Sequence, residues 1–239
     1  KKLNLESLYI LEKKNHEQEQ ELNQERLRFY TNITHELRTP LTLILGPLED
    51  MQKETSLPAK QAQKLSVIHQ SALRLLNLIN QILEFRKTET QNKKLCVSKG
   101  NIAPLIYEIG LKYKELNQKT KIDFQIQIEK EEMLLFFDKE IITIVLDNLI
   151  SNAIKYTEQG RVTLSLYQTM RNEVAYTEIK VSDTGYGISA EALPHIFDRY
   201  YQESGKHQAS GTGIGLALVK NLVTLHEGEI RAESIQNEG

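Results

Sequence analysis

The residues best suited to do chemistry lie around His35, in a segment that also holds Glu36, Arg38, Thr39 and Pro40. If this segment is one helix, a rotation of about 100° per residue places His35, Arg38 and Thr39 on one face. Pro40 has no N–H, so the carbonyl of Glu36 loses its helical partner and the helix is expected to bend just past the histidine. Any single histidine is more often an ordinary surface or core residue, so this segment alone leaves the role of His35 open.

A second group of polar residues and glycines lies far downstream. Asn148 and Asn152 are four residues apart in a predicted helix, so both side chains project from one face. Amide oxygens suit Mg²⁺, which takes hard oxygen ligands while bridging substrate phosphates. Asp183 follows a predicted strand, and Gly185 and Gly187 permit a tight turn against a ligand. Taken alone, the asparagine pair is better explained by helix capping or a buried polar contact.

Glycines at 211, 213 and 215 precede a helical pattern over residues 216–225. Backbone N–H groups at the start of a helix form an anion site. The spacing matches neither the dinucleotide-binding fingerprint nor a P-loop. The polar segment between Gly187 and Gly211 is expected to act as a lid.

Two protease classes are excluded by the same residues. Asp183-Thr184-Gly185 spells the aspartic-protease triplet, but that chemistry needs a second copy and an all-β setting. The segment at His35 is not the zinc-binding H-E-x-x-H, because Thr39 replaces the second histidine.

Two long helices are predicted to carry the His35 segment and to follow it. Polar residues without proline or glycine predict helix over 4–28, and one helix continues over 22–52 through His35. Residues 55–58 break it, and a second helix is predicted over 59–87. Two such helices cannot bury their apolar faces alone, so a hairpin that dimerises into a four-helix bundle is expected. These faces are Leu41, Ile44, Leu45 and Leu48 in the first helix, and Leu65, Ile68, Ala72, Leu75, Ile79 and Ile82 in the second.

The character of the chain changes after a polar linker. Strands are predicted over 95–97, 122–128, 161–168 and 178–181, with helices over 101–118 and 139–156, which indicates an α+β sandwich. Asp138 is predicted to cap the helix that carries the asparagines. Cys96 is expected to be a small buried residue in the first strand.

Composition describes an ordinary globular protein. The 239 residues are 40% hydrophobic and 26% charged, with a net charge of −2. No nucleic-acid surface and no membrane contact are expected from such a balance. One cysteine excludes a disulfide framework and suits a reducing compartment. No apolar run approaches the roughly 18–20 residues of a membrane span, so the chain is interpreted as a soluble piece of a longer protein.

Five segments in this order resemble the H, N, G1, F and G2 boxes of sensor histidine kinases. Each motif is weak by itself, but the five together in the right order identify the chain as similar to that family. They are Phe29–Leu41, Asp147–Thr157, Asp183–Ile188, Ile196–Tyr201 and Gly211–Leu216.

The resemblance implies an all-α helical hairpin that forms a dimeric four-helix bundle, followed by an α+β sandwich ATP-binding domain. The expected domains are a signalling helix over 1–21, a dimerisation and phosphotransfer domain over 22–88, a linker over 89–94 and a catalytic domain over 95–239. Relatives continue with a hairpin after Gly228-Glu229-Ile230, so the last strand is expected to be truncated here.

The resemblance also assigns roles to residues. His35 would be phosphorylated from ATP and Glu36 would orient its imidazole. Asn152 would bind Mg²⁺, and Asp183 would accept a hydrogen bond from the adenine amino group. The remaining nucleotide-binding residues would be Asn148, Lys155, Tyr156, Gly185, Gly187, Arg199, Gly211, Thr212, Gly213, Gly215 and Leu216.

Two residues bear on activity beyond kinase chemistry. Related ATPases have a glutamate that activates water where this chain has Asn148, and an amide cannot be a general base. The sequence thus favours keeping ATP intact until another nucleophile arrives. Thr39, one turn past His35, resembles the threonine of relatives that also dephosphorylate their partner.

The implied partners are a second copy, through the helical hairpin, and a response-regulator receiver domain that accepts the phosphoryl group on an aspartate. The implied location is the cytoplasmic portion of a bacterial inner-membrane sensor. A stand-alone ATPase of the same superfamily and a scaffold that no longer uses ATP are the alternatives.

Overall fold

The computed structural model describes residues 2–53, 58–89, 93–117, 121–171, 173–202 and 213–239. The chain divides into two compact units, Lys1–Lys93 and Lys94–Gly239. The finer domain boundaries given above stay a prediction. Within the described residues, no helix is both long and apolar enough to cross a membrane.

The first unit is a pair of long helices. α1 spans Lys2–Lys53 and α2 spans Ala59–Glu89, which confirms the helices predicted before and after residues 55–58. α1 contains both Pro40 and Pro47 without a break in helical structure, and the bend expected at Pro40 stays a prediction.

Only part of each predicted apolar face is buried between the two helices. Leu65, Ala72 and Ile79, spaced seven residues apart in α2, are buried. Ile68 and Leu75, from the same predicted stripe, remain 51% and 50% exposed. In α1, Leu41, Leu45 and Leu48 are buried, whereas Ile44 was predicted with them and is 50% exposed. A helix pair covers one side of each helix, so the remaining apolar positions face outward.

The second unit is an α+β structure with two small sheets. β2 pairs with β4 in parallel and β4 pairs with β5 antiparallel, giving the order β2-β4-β5. β1 and β3 form a separate antiparallel pair. The elements are β1 Ser98–Asn101, α3 Ile102–Leu116, β2 Ile122–Ile128, β3 Leu134–Phe137, α4 Lys139–Tyr156, β4 Gly160–Arg171, β5 Val174–Asp183 and α5 Gly215–Leu225, with a 3₁₀ turn at Leu193–His195.

The core of this unit lies between the helices and one face of the larger sheet. In β4, Val162, Leu164 and Leu166 are almost fully buried, as expected when alternate residues of a strand point to one face. Leu146 and Ile150 of α4 are buried in the same cluster. The apolar side of α4 therefore packs into this core, and the side that carries the asparagines is not part of the core cluster.

The position predicted for the first strand is wrong. The strand lies at Ser98–Asn101, after the predicted residues 95–97. Cys96 is exposed and outside any strand, contrary to the buried position predicted for it. The N–H of Cys96 donates to Oδ2 of Asp138 over 2.7 Å, so it is not available to a strand, and this segment is tied to the start of α4. β3 was not predicted because four residues give too little alternation to read.

Candidate active site

The start of α4 is fixed by Asp138, as predicted. Its Oδ1 accepts a hydrogen bond of 3.1 Å from the N–H of Ile141, which caps the helix. Its own N–H donates to Nε2 of His226 over 3.0 Å, at the end of α5. Because a backbone N–H can only donate, Nε2 of His226 is the unprotonated nitrogen of the ring. The first turn of α4 and the last turn of α5 are thereby joined.

Asn148 lies where α4 meets the first residue of α5. Its side chain is 6% exposed, and Nδ2 donates to the carbonyl of Ile144 over 2.8 Å. Its Oδ1 lies 2.9 Å from the position that a Cβ on Gly215 would occupy. The absence of a side chain at residue 215 thus allows α5 to begin directly against Asn148. Asn152, one turn further along α4, is half-buried.

Asp147, next to Asn148, faces α3 and points away from the asparagine side. Its Oδ1 accepts a hydrogen bond of 2.9 Å from the hydroxyl of Tyr113. The same oxygen forms an ion pair with Nζ of Lys112 at 3.2 Å. Burial of the phenol and the nearby carboxylate raise the pKa of Tyr113 above its usual value. This contact holds α4 against α3, and nothing in the sequence spacing pointed to it.

Asp183 ends β5 and is held by the residues around it. Its Oδ1 accepts a hydrogen bond of 2.9 Å from the N–H of Gly185 and lies 3.4 Å from the hydroxyl of Thr157. A Cβ on Gly185 would stand 2.4 Å from the carbonyl oxygen of Tyr156. Gly187 adopts a φ of +62°, which is accessible to glycine at little cost. Both predicted glycines are therefore required by backbone geometry.

The end of α4 carries Lys155 and Tyr156. Nζ of Lys155 donates to the Tyr156 hydroxyl over 3.0 Å and lies 4.5 Å from the centre of its ring. Glu158, in the loop that follows α4, accepts a hydrogen bond of 2.8 Å from the hydroxyl of Tyr186, which lies after β5. That hydrogen bond raises the pKa of Tyr186 above its usual value.

Further predicted residues lie at or beside the start of α5. Gly213 has a φ of +69°, and its carbonyl accepts the N–H of Tyr200 over 2.9 Å, next to the exposed Arg199. α5 begins at Gly215 without a side-chain cap, and Leu216 is half-buried in its first turn. Uncapped N–H groups there can bind an anion. Gly211 and Thr212 lie outside the described residues, as do residues 203–210 of the predicted lid.

The His35 segment lies in the middle of α1, and the side chain of His35 lies outside the described residues. Glu36 and Thr39 are exposed. Arg38 reaches across to α2, where its guanidinium donates to Oδ1 of Asn80 over 2.7 Å. Sequence reasoning placed Arg38 beside His35 and missed this contact.

The residues of the second unit fit an adenine nucleotide with a hard metal ion. They combine a carboxylate at Asp183, an uncapped helix start at Gly215 and the amide of Asn152. Among the described residues, no group of three or more His, Cys, Asp or Glu side chains could hold a metal. A metal here would depend on an amide oxygen together with phosphate oxygens, which is the manner of Mg²⁺.

Two family models match the chain in the order of its two units. The His Kinase A (phospho-acceptor) domain matches residues 25–91. The histidine kinase-, DNA gyrase B- and HSP90-like ATPase matches residues 137–239.

The chain is also similar to named histidine kinases along most of its length. It is 37% identical over 96% of its residues to histidine kinase P4 of Formosa agariphila, and spans 17% of that protein. It is 33% identical over 87% of its residues to the autoinducer 2 sensor kinase/phosphatase LuxQ of Vibrio vulnificus, and spans 25% of it. The chain thus spans a quarter or less of these two relatives.

A solved structure agrees with both the fold and the order of the units. Full-length ShkA in complex with AMPPNP superimposes with a TM-score of 0.67 at 25% identity, over 87% of this chain and 43% of that one. The chain therefore belongs to the sensor histidine kinase family and comprises its kinase core, a phosphoacceptor helical segment followed by an ATP-binding α+β domain.

Proposed function

We propose that this chain transfers the γ-phosphoryl group of Mg-ATP to His35 and then to an aspartate of a response-regulator receiver domain. The single observation that carries the proposal is the meeting of Asn148 with Gly215. The 2.9 Å approach of Oδ1 to the Cβ position of Gly215 brings the asparagine helix and an anion-binding helix start together, in a chain that also carries the His35 segment.

The nucleotide roles follow from the chemistry of each group. Asp183 would accept a hydrogen bond from the adenine amino group, and Asn152 would hold Mg²⁺, which neutralises phosphate charge when bound. Lys155 and Arg199 would add positive charge near the phosphates. Asn148, buried and bonded to its own helix, cannot act as a general base, which favours retention of ATP over hydrolysis.

The phosphoryl step uses His35 as the nucleophile. An imidazole nitrogen forms a bond to the γ-phosphorus while the bond from phosphorus to the ADP oxygen breaks, and ADP leaves with the electron pair. Glu36 would bind the N–H of the other ring nitrogen and stabilise the positive charge that develops. Neighbouring helical residues do not face each other, so this contact requires a particular rotamer of Glu36 or a bend at Pro40.

Thr39 is proposed to serve dephosphorylation of the receiver, an activity that the name of LuxQ also carries. It is exposed one turn after His35, where a hydroxyl can orient a water molecule. We expect Thr39→Ala to lower receiver dephosphorylation by at least about tenfold and to leave autophosphorylation unchanged.

The measurement is phosphate release from a receiver domain phosphorylated by this kinase. Thr42→Ala is the matched control, since among the described residues its hydroxyl donates to the carbonyl of Arg38 on the same helix, over 2.9 Å, and to no other group. Loss of autophosphorylation and dephosphorylation together in Thr39→Ala would contradict a dedicated role.

The helical hairpin is proposed to pair with a second copy of itself. Leu37, Ile44 and Met51 repeat every seven residues along α1 and are between 44% and 50% exposed. Ile68 and Leu75 form the corresponding stripe on α2. Two apolar stripes at heptad spacing are buried when two hairpins form a four-helix bundle.

Placing charges in this stripe should separate the copies. We expect Ile68→Glu combined with Leu75→Glu to weaken dimerisation by at least about 100-fold, because carboxylates would be buried without partners. Sedimentation of the whole chain measures this. Val67→Glu is the control, because Val67 is 58% exposed and points about 100° away from the stripe. A double variant that sediments as wild type would rule out this interface.

The experiment that tests the kinase proposal is incubation of the chain with Mg²⁺ and γ-labelled ATP, with α-labelled ATP as the control. A histidine kinase retains label from the γ position only, and the label is lost in acid but stable in alkali. Release of phosphate without protein label would favour the alternative of a stand-alone ATPase. A cytoplasmic location beneath a membrane-anchored sensor is part of the same proposal and depends on the family alone.

A further inference from the structure

Thr157 places a buried hydroxyl beside the carboxylate of Asp183. It follows the last residue of α4, is 0% exposed, and its N–H donates to the carbonyl of Ala153 over 3.1 Å. This bond ends the helix and fixes the backbone of Thr157. Its hydroxyl lies 3.4 Å from Oδ1 of Asp183, which is longer than an ordinary O–H···O bond of about 2.5–3.0 Å and leaves room for the pair to tighten around a ligand.

The loop that follows Asp183 is held to the same end of α4 through its backbone. The carbonyl of Tyr156 accepts the N–H of Tyr186 over 3.3 Å. On the other side, Thr184 exchanges two hydrogen bonds with the backbone of Arg161, of 3.0 Å and 2.9 Å. The loop therefore has little freedom to move away from Thr157.

The contacts on Asp183 are unequal between its two oxygens. Gly185 and Thr157 both lie against Oδ1. Within the described part of the chain, no hydrogen bond reaches Oδ2. These two donors, one at 2.9 Å and one at 3.4 Å, orient the carboxylate, so Oδ2 is the oxygen left to meet a ligand.

We propose that Thr157 is a positioning residue that sets the preference of this site for adenine over purines with a carbonyl at position 6. The inference depends on the proposed function, in which Asp183 receives the adenine amino group. A fixed carboxylate accepts from an amino group and repels a carbonyl oxygen. A carboxylate that is free to rotate would admit water and discriminate less between the two kinds of purine. Selectivity of this kind depends on polar groups that cannot adapt to the wrong ligand.

The test compares two nucleotides on three proteins. The whole chain, Thr157→Val and Thr157→Ser are each titrated with ATP and with inosine triphosphate in Mg²⁺. Valine keeps the volume and removes the hydroxyl, whereas serine keeps the hydroxyl. We expect the ratio of the two dissociation constants to fall about threefold to tenfold in Thr157→Val and to stay near wild type in Thr157→Ser.

The ratio of the two dissociation constants distinguishes a positioning role from a merely structural one, because a loosened fold weakens the binding of both nucleotides alike. An unchanged ratio in Thr157→Val, or an equal fall in Thr157→Ser, overturns the inference. If the valine variant does not fold, Thr157→Ala removes the same hydroxyl with a smaller side chain and gives the same comparison. Failure of the wild-type chain to bind either nucleotide would instead contradict the proposed function.

Discussion

Replacing His35 with alanine is expected to abolish acid-labile phosphorylation of the chain, a loss of at least about 10³-fold, while ATP affinity stays within about twofold of wild type. In the proposed mechanism the imidazole forms the new bond to phosphorus, so its removal leaves the step without a nucleophile. The residues proposed to bind nucleotide, from Asn148 to Leu216, all belong to the second compact unit, whereas His35 belongs to the first. The variant should therefore lose autophosphorylation and still bind ATP.

The measurement is γ-phosphate labelling of wild type beside the variant, with ATP binding followed by titration. His16→Ala is the matched control, because it removes a histidine from the same helix, α1. It should label as wild type does. Label that persists in His35→Ala at alkali-stable, acid-labile positions would assign the nucleophile to another histidine. Loss of ATP binding in that variant would mean that the substitution acts through the fold.

Periodic and local signals in the sequence were sufficient for most of the fold. The short β-type run over 161–168 predicted a strand, whose buried face is formed by Val162, Leu164 and Leu166. The capping residue Asp138 predicted the start of α4. Both rest on neighbours a few residues away, where spacing translates directly into geometry. The spacing of apolar residues in α2 also predicted its apolar side. It did not predict which of these residues are buried within one hairpin and which stay exposed.

Contacts between distant parts of the chain could not be read in the same way. Arg38 meets Asn80, 42 residues on, and Tyr113 meets Asp147, 34 residues on. The position of Cys96 outside the strand has the same origin, since its N–H is taken by Asp138 rather than by a neighbouring strand. Such pairs depend on how helices pack, and no local pattern specifies them. The contacts at Asp147 and Asp138 position α4, whereas Arg38 and Asn80 join α1 to α2.

α4 emerges as the element on which the proposed site depends. Its start is joined to α5 through Asp138 and His226, and its middle meets Gly215 through Asn148. Its end meets the Asp183 loop through Tyr156 and Thr157. Recognition of the base and of the phosphates would therefore share one rigid support, so a shift of the Asp183 loop against α4 should alter nucleotide binding as a whole.

Gly185→Ala tests that dependence directly and is expected to lower ATP affinity by at least about tenfold and the free energy of unfolding by about 1–3 kcal/mol. The added Cβ would lie 2.4 Å from the carbonyl oxygen of Tyr156 and 2.8 Å from Oδ1 of Asp183. The first of these is a backbone atom at the end of α4 and cannot rotate away. The loop must move instead, which lengthens the 3.3 Å hydrogen bond from Tyr186 to Tyr156 and displaces the Asp183 carboxylate.

The measurement combines ATP titration with urea unfolding of the whole chain. Gly100→Ala is the matched control in the same unit, since its Cβ would meet the ring of Phe137 at 3.5 Å, an ordinary contact that should cost less than about 1 kcal/mol and leave ATP affinity unchanged. An alanine at position 185 that binds ATP as tightly as wild type would show that the loop moves without carrying Asp183 with it. The carboxylate would then be held by Thr157 and β5 rather than by the turn at Gly185.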